Sequence, residues 1–589
     1  EKHLKPQPPR PPRPSRPSEA VGGEARIITR GDVEVLTYES EENFLKLERL
    51  HEESRQSSPV PGTVAPQYFR SQMDGSIQPY GLWLPQGYTA SKKYPLLVQL
   101  HGIGPKSLAG RRANFRGMGA KEYIDADAPV IYAQCYGRGN TFYQGMGEVD
   151  ILEVIDDVRQ RFSVDADRVF IMGHSMGGAG AYTIGLHYPD RFGSITPVDA
   201  ALGGRITMQA DATMPEWMRP QVAIQTAANL YANARNLSVF FKNAGAGIGG
   251  FSTHFTDGII GQGGFSTTEA FPGMPHHFAP TLTYGIFTAA AVAKRIPRLP
   301  PEVKFYTNNL RYNQSYWLTI DRLGRHNADA FATAVFDDGR PAAALPGRGQ
   351  PLPSGAQTER SPSLNISTRN VDALTLRLGG LASKGAVVPV MIDRREITKS
   401  ALPDVLHLAR EAGEWRIVSA PAVAGKRHGM QGPIGDAFKS KFLAVYGEGE
   451  KELAMDELNA VRNPPSQLVN HGDFPMKVAA RVTKEDVETS NLILFGTVHT
   501  NPIIGRLAAS LPPALRRAAG GRAAIFLYPN PENPQRYVVI WTTRLLSVPD
   551  NDLRTGFLFP VDVLPDYVRI KNGKVASGGF FDNDWKLSE

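Results

Sequence analysis

The sequence predicts an α/β protein in three parts: a domain built on a parallel sheet, a β-sandwich-like region, and a second, smaller α/β domain. Three observations predict it. Short apolar runs alternate with helical patterns between residues 66 and 300, strand-like segments joined by polar, Gly- and Pro-rich loops fill 301–400, and the alternation returns over 401–589. A chain of 589 residues has room for several domains of about 100–200 residues. Hydrophobic residues at 41% and charged residues at 21% lie near the globular average, which excludes a disordered polymer, a collagen-like fibre and a coiled coil.

The elements follow in order. Residues 1–20 form a Pro-rich arm in which Lys2, Lys5, Arg10, Arg13 and Arg16 outnumber Glu1 and Glu19. Its prolines favour an extended spacer. An amino-terminal extension, 21–65, combines a short strand pattern with a charged helical stretch at 41–55. Strands are expected at 80–84, 94–100, 130–133, 168–172, 194–198 and 237–241. Ile151, Leu152, Ile155, Val158 and Phe162 recur at helical spacing between the third and fourth of these. Pro297, Pro300 and Pro301 mark a boundary. Beyond it, strands at 316–320, 330–336, 364–367, 373–378 and 387–392 suggest a sandwich, with 340–362 as a mobile loop. Further strands are expected at 442–446, 476–482, 491–495, 523–528 and 537–541.

Composition narrows the function classes. Outside the arm, basic and acidic residues are interspersed, and no stripe of Lys and Arg carries interleaved aromatics, so nucleic acid is not an expected partner. No apolar run reaches the roughly 18 residues of a bilayer span, so no integral membrane segment is expected. The single cysteine, Cys135, excludes an intrachain disulfide framework and a cysteine metal cluster. The chain starts at Glu1 rather than Met, through processing or trimming; a removed secretory leader would explain it, although none is visible, and the expected location is secreted or periplasmic.

The strongest chemical signal is Gly173-His174-Ser175-Met176-Gly177. It follows an apolar strand and opens a small-residue helix, the setting in which a tight turn projects a nucleophilic serine. The flanking glycines let neighbouring elements approach without a Cβ clash. The helix N-terminus aims free N–H groups at a developing oxyanion. A second signal is Leu100-His101-Gly102-Ile103-Gly104 at the end of an earlier strand. In a hydrolase of this architecture that loop would supply one oxyanion donor, here assigned to Ile103 with Gly102 equally possible, and the N–H of Met176 the other. A third is Pro272-Gly273-Met274-Pro275-His276-His277, where the chain order serine, acid, histidine requires the base. His276 is preferred over His277 by its place after the Pro-Gly turn. The paired histidines lack a third ligand at metal spacing, so neither a metal nor any other cofactor is expected.

Residues 66–296 resemble the serine-hydrolase domain of the prolyl-oligopeptidase-like and the feruloyl-esterase/polyhydroxybutyrate-depolymerase-like α/β-hydrolases. The resemblance rests on Asp74-Gly75-Ser76-Ile77-Gln78-Pro79-Tyr80, Tyr94-Pro95-Leu96 through His101-Gly102, Gly137-Arg138-Gly139, Asp165 to Arg168, Gly173 to Gly178, and Tyr188-Pro189-Asp190-Arg191-Phe192. Residues 302–589 look like the carboxy-terminal extension of some secreted bacterial members. The resemblance implies Ser175 as nucleophile and His276 as general base. The sequence departs from the family at the acid: the loop after strand 237–241 runs from Lys242 to Gly250 without a carboxylate. Three outcomes stay open, namely Asp199 at the end of the preceding strand, Asp257 folding back, or no third member.

Gly245, Gly247 and Gly250 match G-x-G-x-x-G, but a dinucleotide site needs a helix opening there and an early βαβ position, and neither is evident. Because 251–264 is itself glycine-rich, this loop, with Phe251, Phe255 and Phe265 on it, is read instead as a flexible lip beside the active site. Phe251, Phe255, Phe265, Phe142, Tyr143 and Trp217 are candidate contacts for an aryl or acyl group.

The first functional expectation is a serine esterase acting on a small-molecule or polymer-linked ester. The rivals are a prolyl-oligopeptidase-like peptidase, disfavoured because only about 60 residues precede the domain where that family carries a propeller, and a catalytically weakened fold used for binding. For 302–589 the open roles are carbohydrate binding, docking a protein partner, or shielding the site.

Overall fold

The computed structural model describes residues 25–104, 112–115, 129–200, 214–225, 227–244, 252–273, 276, 294–339, 361–383, 385–421, 424–464, 466–549, 553 and 558–587. The arm at 1–20 and nearly all of the 340–362 loop lie outside them. No helix among the described residues is long and apolar enough to cross a membrane.

The central sheet has eight strands: β1 Val64–Arg70, β2 Ile77–Trp83, β3 Tyr94–Leu100, β4 Ile131–Cys135, β5 Val164–His174, β6 Ser194–Val198, β7 Ser238–Ala244 and β8 Phe265–Phe271. Their spatial order is β1-β2-β4-β3-β5-β6-β7-β8, and β2 alone runs against the rest. This is the α/β-hydrolase arrangement. Every residue of β3, β4 and β6 is buried, as expected of parallel strands covered on both faces. The helix Met146–Arg161 follows β4 and buries Ile151, Val154, Ile155 and Val158, an i, i+3, i+4, i+7 stripe. The helix Met176–His187 follows β5 and is buried along its whole length.

Part of the stretch read as a flexible lip forms a helix, Ser252–Gly261, between β7 and β8. Ser252, Phe255, Thr256 and Ile259 bury one face of it, a helical stripe that the interspersed glycines obscure in the sequence. The Gly245–Gly250 pattern therefore does precede a helix, but at the last crossover of the sheet rather than an early one. The three glycines themselves lie outside the described residues.

Two five-stranded sheets pack around a separate apolar core that includes Phe305, Trp317, Leu374, Val390 and Leu408. This β-sandwich continues past the expected limit at 400. The strands Val405–Glu411 and Glu414–Val418 extend its second sheet, and Leu406 and Leu408 point into its core.

The remaining sheet has nine strands, with a parallel set formed by Phe474–Val478, Phe442–Tyr446, Asn491–Phe495 and Asn533–Trp541. The strands Arg26–Arg30 and Val33–Thr37 join its edge, Leu36 pairing with Phe474. The extension expected at 21–65 thus supplies strands to the carboxy-terminal sheet, because Val35, Leu36 and Thr37 find there the burial that a lone two-stranded ribbon cannot provide. This sheet and the central one share one buried apolar cluster.

A buried ion-pair cluster crosses that junction: Arg112 holds Asp473 at 2.7 Å and Glu39 at 3.1 Å. Within the central domain, Arg138 holds Asp74 at 2.7 Å and Asp150 at 3.1 Å. Removing one partner strands the other charge in low dielectric. Arg112→Met is expected to cost about 3–5 kcal/mol, read as a lower urea midpoint and a lower melting temperature.

Candidate active site

The site is built at the carboxyl ends of β3, β5 and β6. β5 ends at His174, and Ser175 then takes φ 58° and ψ −114° before the helix begins at Met176. Two glycines make this turn sterically feasible. A Cβ on Gly177 would sit 2.2 Å from the Leu100 carbonyl oxygen, and one on Gly173 would sit 2.3 Å from the Gly177 backbone. The Ser175 N–H donates to the Val198 carbonyl at 2.9 Å, so the turn is pinned to the end of β6.

The next residue after β6 is Asp199. It adopts φ 42°, which Asp tolerates better than most side chains, and its N–H donates to the Lys242 carbonyl at 2.6 Å. That bend turns the buried carboxylate toward His276: Asp199 Oδ2 accepts from His276 Nδ1. The pairing fixes the tautomer, since a carboxylate only accepts, and leaves His276 Nε2 as the basic nitrogen. Asp199 is 2% exposed and the His276 side chain 31%, so the acid is dry and the base reachable. Asp257 lies exposed on the helix Ser252–Gly261, facing solvent. His277, Met274 and Pro275 lie outside the described residues.

His174 was not singled out by the sequence reading, and no local signal in the pentapeptide marks it. Its Nε2–H donates to the His276 carbonyl at 2.8 Å, and the two rings lie 4.5 Å apart. Burial and the neighbouring His276 push the His174 imidazole down to about 4. The unfolded chain therefore binds the proton that the folded chain refuses between about pH 6.5 and 4. Stability should fall as pH drops through that window, and His174→Gln should flatten this part of the melting-temperature profile. His174, Asp199 and His276 could offer metal-ligand atoms within 4.8 Å of one another. The hydrogen bonds of this set speak against such a use, because His174 Nε2 is committed to a backbone carbonyl and His276 Nδ1 to Asp199.

The loop after β3 lies against this turn: a Cβ on Gly102 would be 3.5 Å from Ser175 Cβ. The Gly104 N–H is spent on Asn140 Oδ1 at 3.0 Å. The N–H groups of Gly102, Ile103 and Met176 have no acceptor among the described residues. Ile103 is exposed, and Met176 is buried at the first position of its helix, where an N–H has no intrahelical acceptor.

The aromatic candidates separate by position. Phe142, Tyr143 and Phe255 are core residues, fully enclosed. Phe265 is exposed but opens β8, at the end of the sheet away from Ser175. Trp217 is half-buried, and Phe251 lies outside the described residues. The strand–loop–helix junction at 495–502 carries no free anion site, because Asn501 caps its helix through Ile503 N–H at 3.1 Å.

Residues 72–247 match the Esterase family model. The chain is similar to the venom dipeptidyl peptidase 4 of Apis mellifera, 30% identical over 126 residues, which is 19% of this chain and 16% of that protein. It is also similar to the venom dipeptidyl peptidase 4 of Vespula vulgaris, 30% identical over 110 residues, 16% of this chain and 14% of that protein. The chain thus spans about a sixth of the length of these curated relatives. Among solved structures it is similar to FphF, a fluorophosphonate-binding serine hydrolase of Staphylococcus aureus, at 19% identity, 40% coverage of this chain, 100% of that chain and a TM-score of 0.33. It is similar as well to a ferulic acid esterase of Anaeromyces mucronatus at 14% identity, 40% and 90% coverage and a TM-score of 0.28.

Proposed function

We propose that the chain is a serine hydrolase that cleaves carboxylic esters through an acyl-enzyme. One observation carries the reading: a serine held at positive φ between a strand and a helix shares its end of the sheet with an imidazole whose Nδ1 is tied to a buried carboxylate. In this reading Ser175 Oγ attacks the ester carbonyl. His276 Nε2 takes its proton and returns it to the leaving alcohol. Asp199 holds the imidazole's tautomer and stabilises its cation. The N–H groups of Met176 and Ile103 receive the oxyanion, Gly102 being the alternative donor, and Gly104 is set aside because its N–H is already bonded. Water, activated by the same His276 Nε2, then attacks the acyl carbon, releases the carboxylic acid and returns the proton to Ser175 Oγ. The substrate class is a small-molecule or polymer-linked ester, with aryl and feruloyl esters as the first to try. In the same reading 66–300 is the catalytic domain, and the sandwich and the carboxy-terminal sheet are attached units.

A fluorophosphonate probe tests this directly. The expected result is a single adduct on the Ser175 peptide together with turnover of p-nitrophenyl and feruloyl esters. A folded sample that fails to label, beside a serine hydrolase that does, would remove the hydrolase reading in favour of binding. Turnover of peptide amides without esters would replace it by the peptidase that the venom relatives suggest.

A further inference from the structure

The oxyanion loop is held from outside the central sheet, and the hydrogen bonds that hold it lead to the carboxy-terminal unit. We propose that Asn140 is a positioning residue for this loop, and that the segment 467–471 fixes Asn140, so that the carboxy-terminal unit completes the site. The proposal rests on the serine-hydrolase reading.

Asn140 grips Gly104 as a strand partner would. Its Oδ1 accepts from the Gly104 N–H at 3.0 Å and its Nδ2 donates to the Gly104 carbonyl at 2.7 Å. The second Nδ2 proton reaches the Gln467 carbonyl at 3.2 Å. An asparagine amide suits this position because it presents one acceptor and two donors in a plane, whereas ionised Asp can only accept. The backbone beneath Asn140 is locked to the same segment. Val469 N–H donates to the Asn140 carbonyl at 3.1 Å, and His471 N–H to the Arg138 carbonyl at 2.9 Å. Gly139, at φ 96°, permits this approach, since a Cβ there would sit 2.9 Å from His471 Nδ1.

A second limb runs in parallel. The Tyr136 hydroxyl lies 2.5 Å from His471 Nδ1, and His101 Nε2 lies 2.9 Å from the Tyr136 carbonyl. The loop 102–104 is thus fastened at both ends, through His101 and through Gly104, to residues more than 300 positions away in sequence. The free N–H groups of Gly102 and Ile103 sit between the two fastenings. An oxyanion donor works only if it is already in place when charge develops, and a shift of about 1 Å can cost about 10²-fold in rate.

The test compares the full-length chain with Asn140→Ala, Asn140→Asp and His471→Phe. Three quantities are read: kcat and KM on a p-nitrophenyl ester, the melting temperature, and amide hydrogen exchange of the 101–104 peptide. Asn140→Ala should lower kcat by about 10²-fold with KM nearly unchanged, and should speed exchange in 101–104. Asn140→Asp keeps the acceptor half of the grip and should fall between wild type and Ala. His471→Phe, which keeps a ring but no nitrogen, should speed exchange at the His101 end. An Asn140→Ala protein with wild-type kcat and exchange overturns the proposal, as does a loss that appears only in KM. If Asn140→Ala does not fold, Asn140→Asp decides by the same two readings. If wild type never labels at Ser175, the hydrolase reading fails on its own, and exchange alone decides the clamp: faster 101–104 exchange supports it and unchanged exchange overturns it.

Discussion

Ser175→Ala is expected to abolish fluorophosphonate labelling and to lower ester turnover by about 10⁶-fold, the scale on which removal of a nucleophilic serine acts. The fold should survive. Alanine keeps the Cβ and the same φ preference, and the backbone bonds that pin the turn, Ser175 N–H to Val198 and Ala179 N–H to the Ser175 carbonyl, need no side chain. The turn nevertheless stores strain, because a non-glycine residue at φ 58° costs about 1–3 kcal/mol. Ser175→Gly should therefore be inactive yet more stable than wild type, with a raised melting temperature. That pairing of lost activity with gained stability is the signature of a residue held for chemistry rather than for packing. A Ser175→Ala protein that still labels and turns over would place the nucleophile elsewhere.

What the sequence disclosed follows the range of the forces involved. The turn at Ser175 was legible because all its determinants are local: an apolar strand, two glycines at fixed offsets and a helix of small residues. The central strands were legible for a similar reason, since runs such as 94–100 are buried on both faces and read as continuous apolar stretches. Long-range pairings left no such trace. Nothing local in the sequence announces that Leu36 will pair with Phe474, or that Asp473 will meet Arg112. The strands at 405–418 alternate in a way that fits either neighbouring unit, and only the sandwich core decides where Leu406 and Leu408 go. The helix Ser252–Gly261 was hidden by its own glycines, which lower intrinsic helix preference while tertiary burial of Phe255 and Ile259 stabilises the helix. Asn140 and His471 were invisible because their partners lie far off in sequence: Asn140 bonds backbone groups of Gly104 and Gln467 that any residue could supply, and His471 meets the Tyr136 hydroxyl 335 positions away.

The carboxylate is the same lesson at the site itself. A family pattern places it after β7, where this chain has none, and the structure sets β6 and β7 side by side so that Asp199, bonded through its N–H to Lys242, occupies neighbouring space. Asp199→Asn is then expected to lower kcat by about 10⁴-fold at little change in KM. The reason is tautomeric. An asparagine amide can donate to His276 Nδ1, which would move the ring proton to Nε2 and, in the proposed mechanism, leave Ser175 with a base that cannot accept its proton. Asp257→Asn should leave kcat within experimental error, because that side chain faces solvent on the helix Ser252–Gly261. Asp199 Oδ1 has no partner among the described residues, so substituting its uncharged amide should not strand a second group, and the melting temperature should hold while the rate collapses. The opposite pattern, with Asp257→Asn slow and Asp199→Asn normal, would transfer the acid to the helix. Two normal rates would mean that Ser175 and His276 act as a dyad, and that the buried carboxylate serves the turn rather than the reaction.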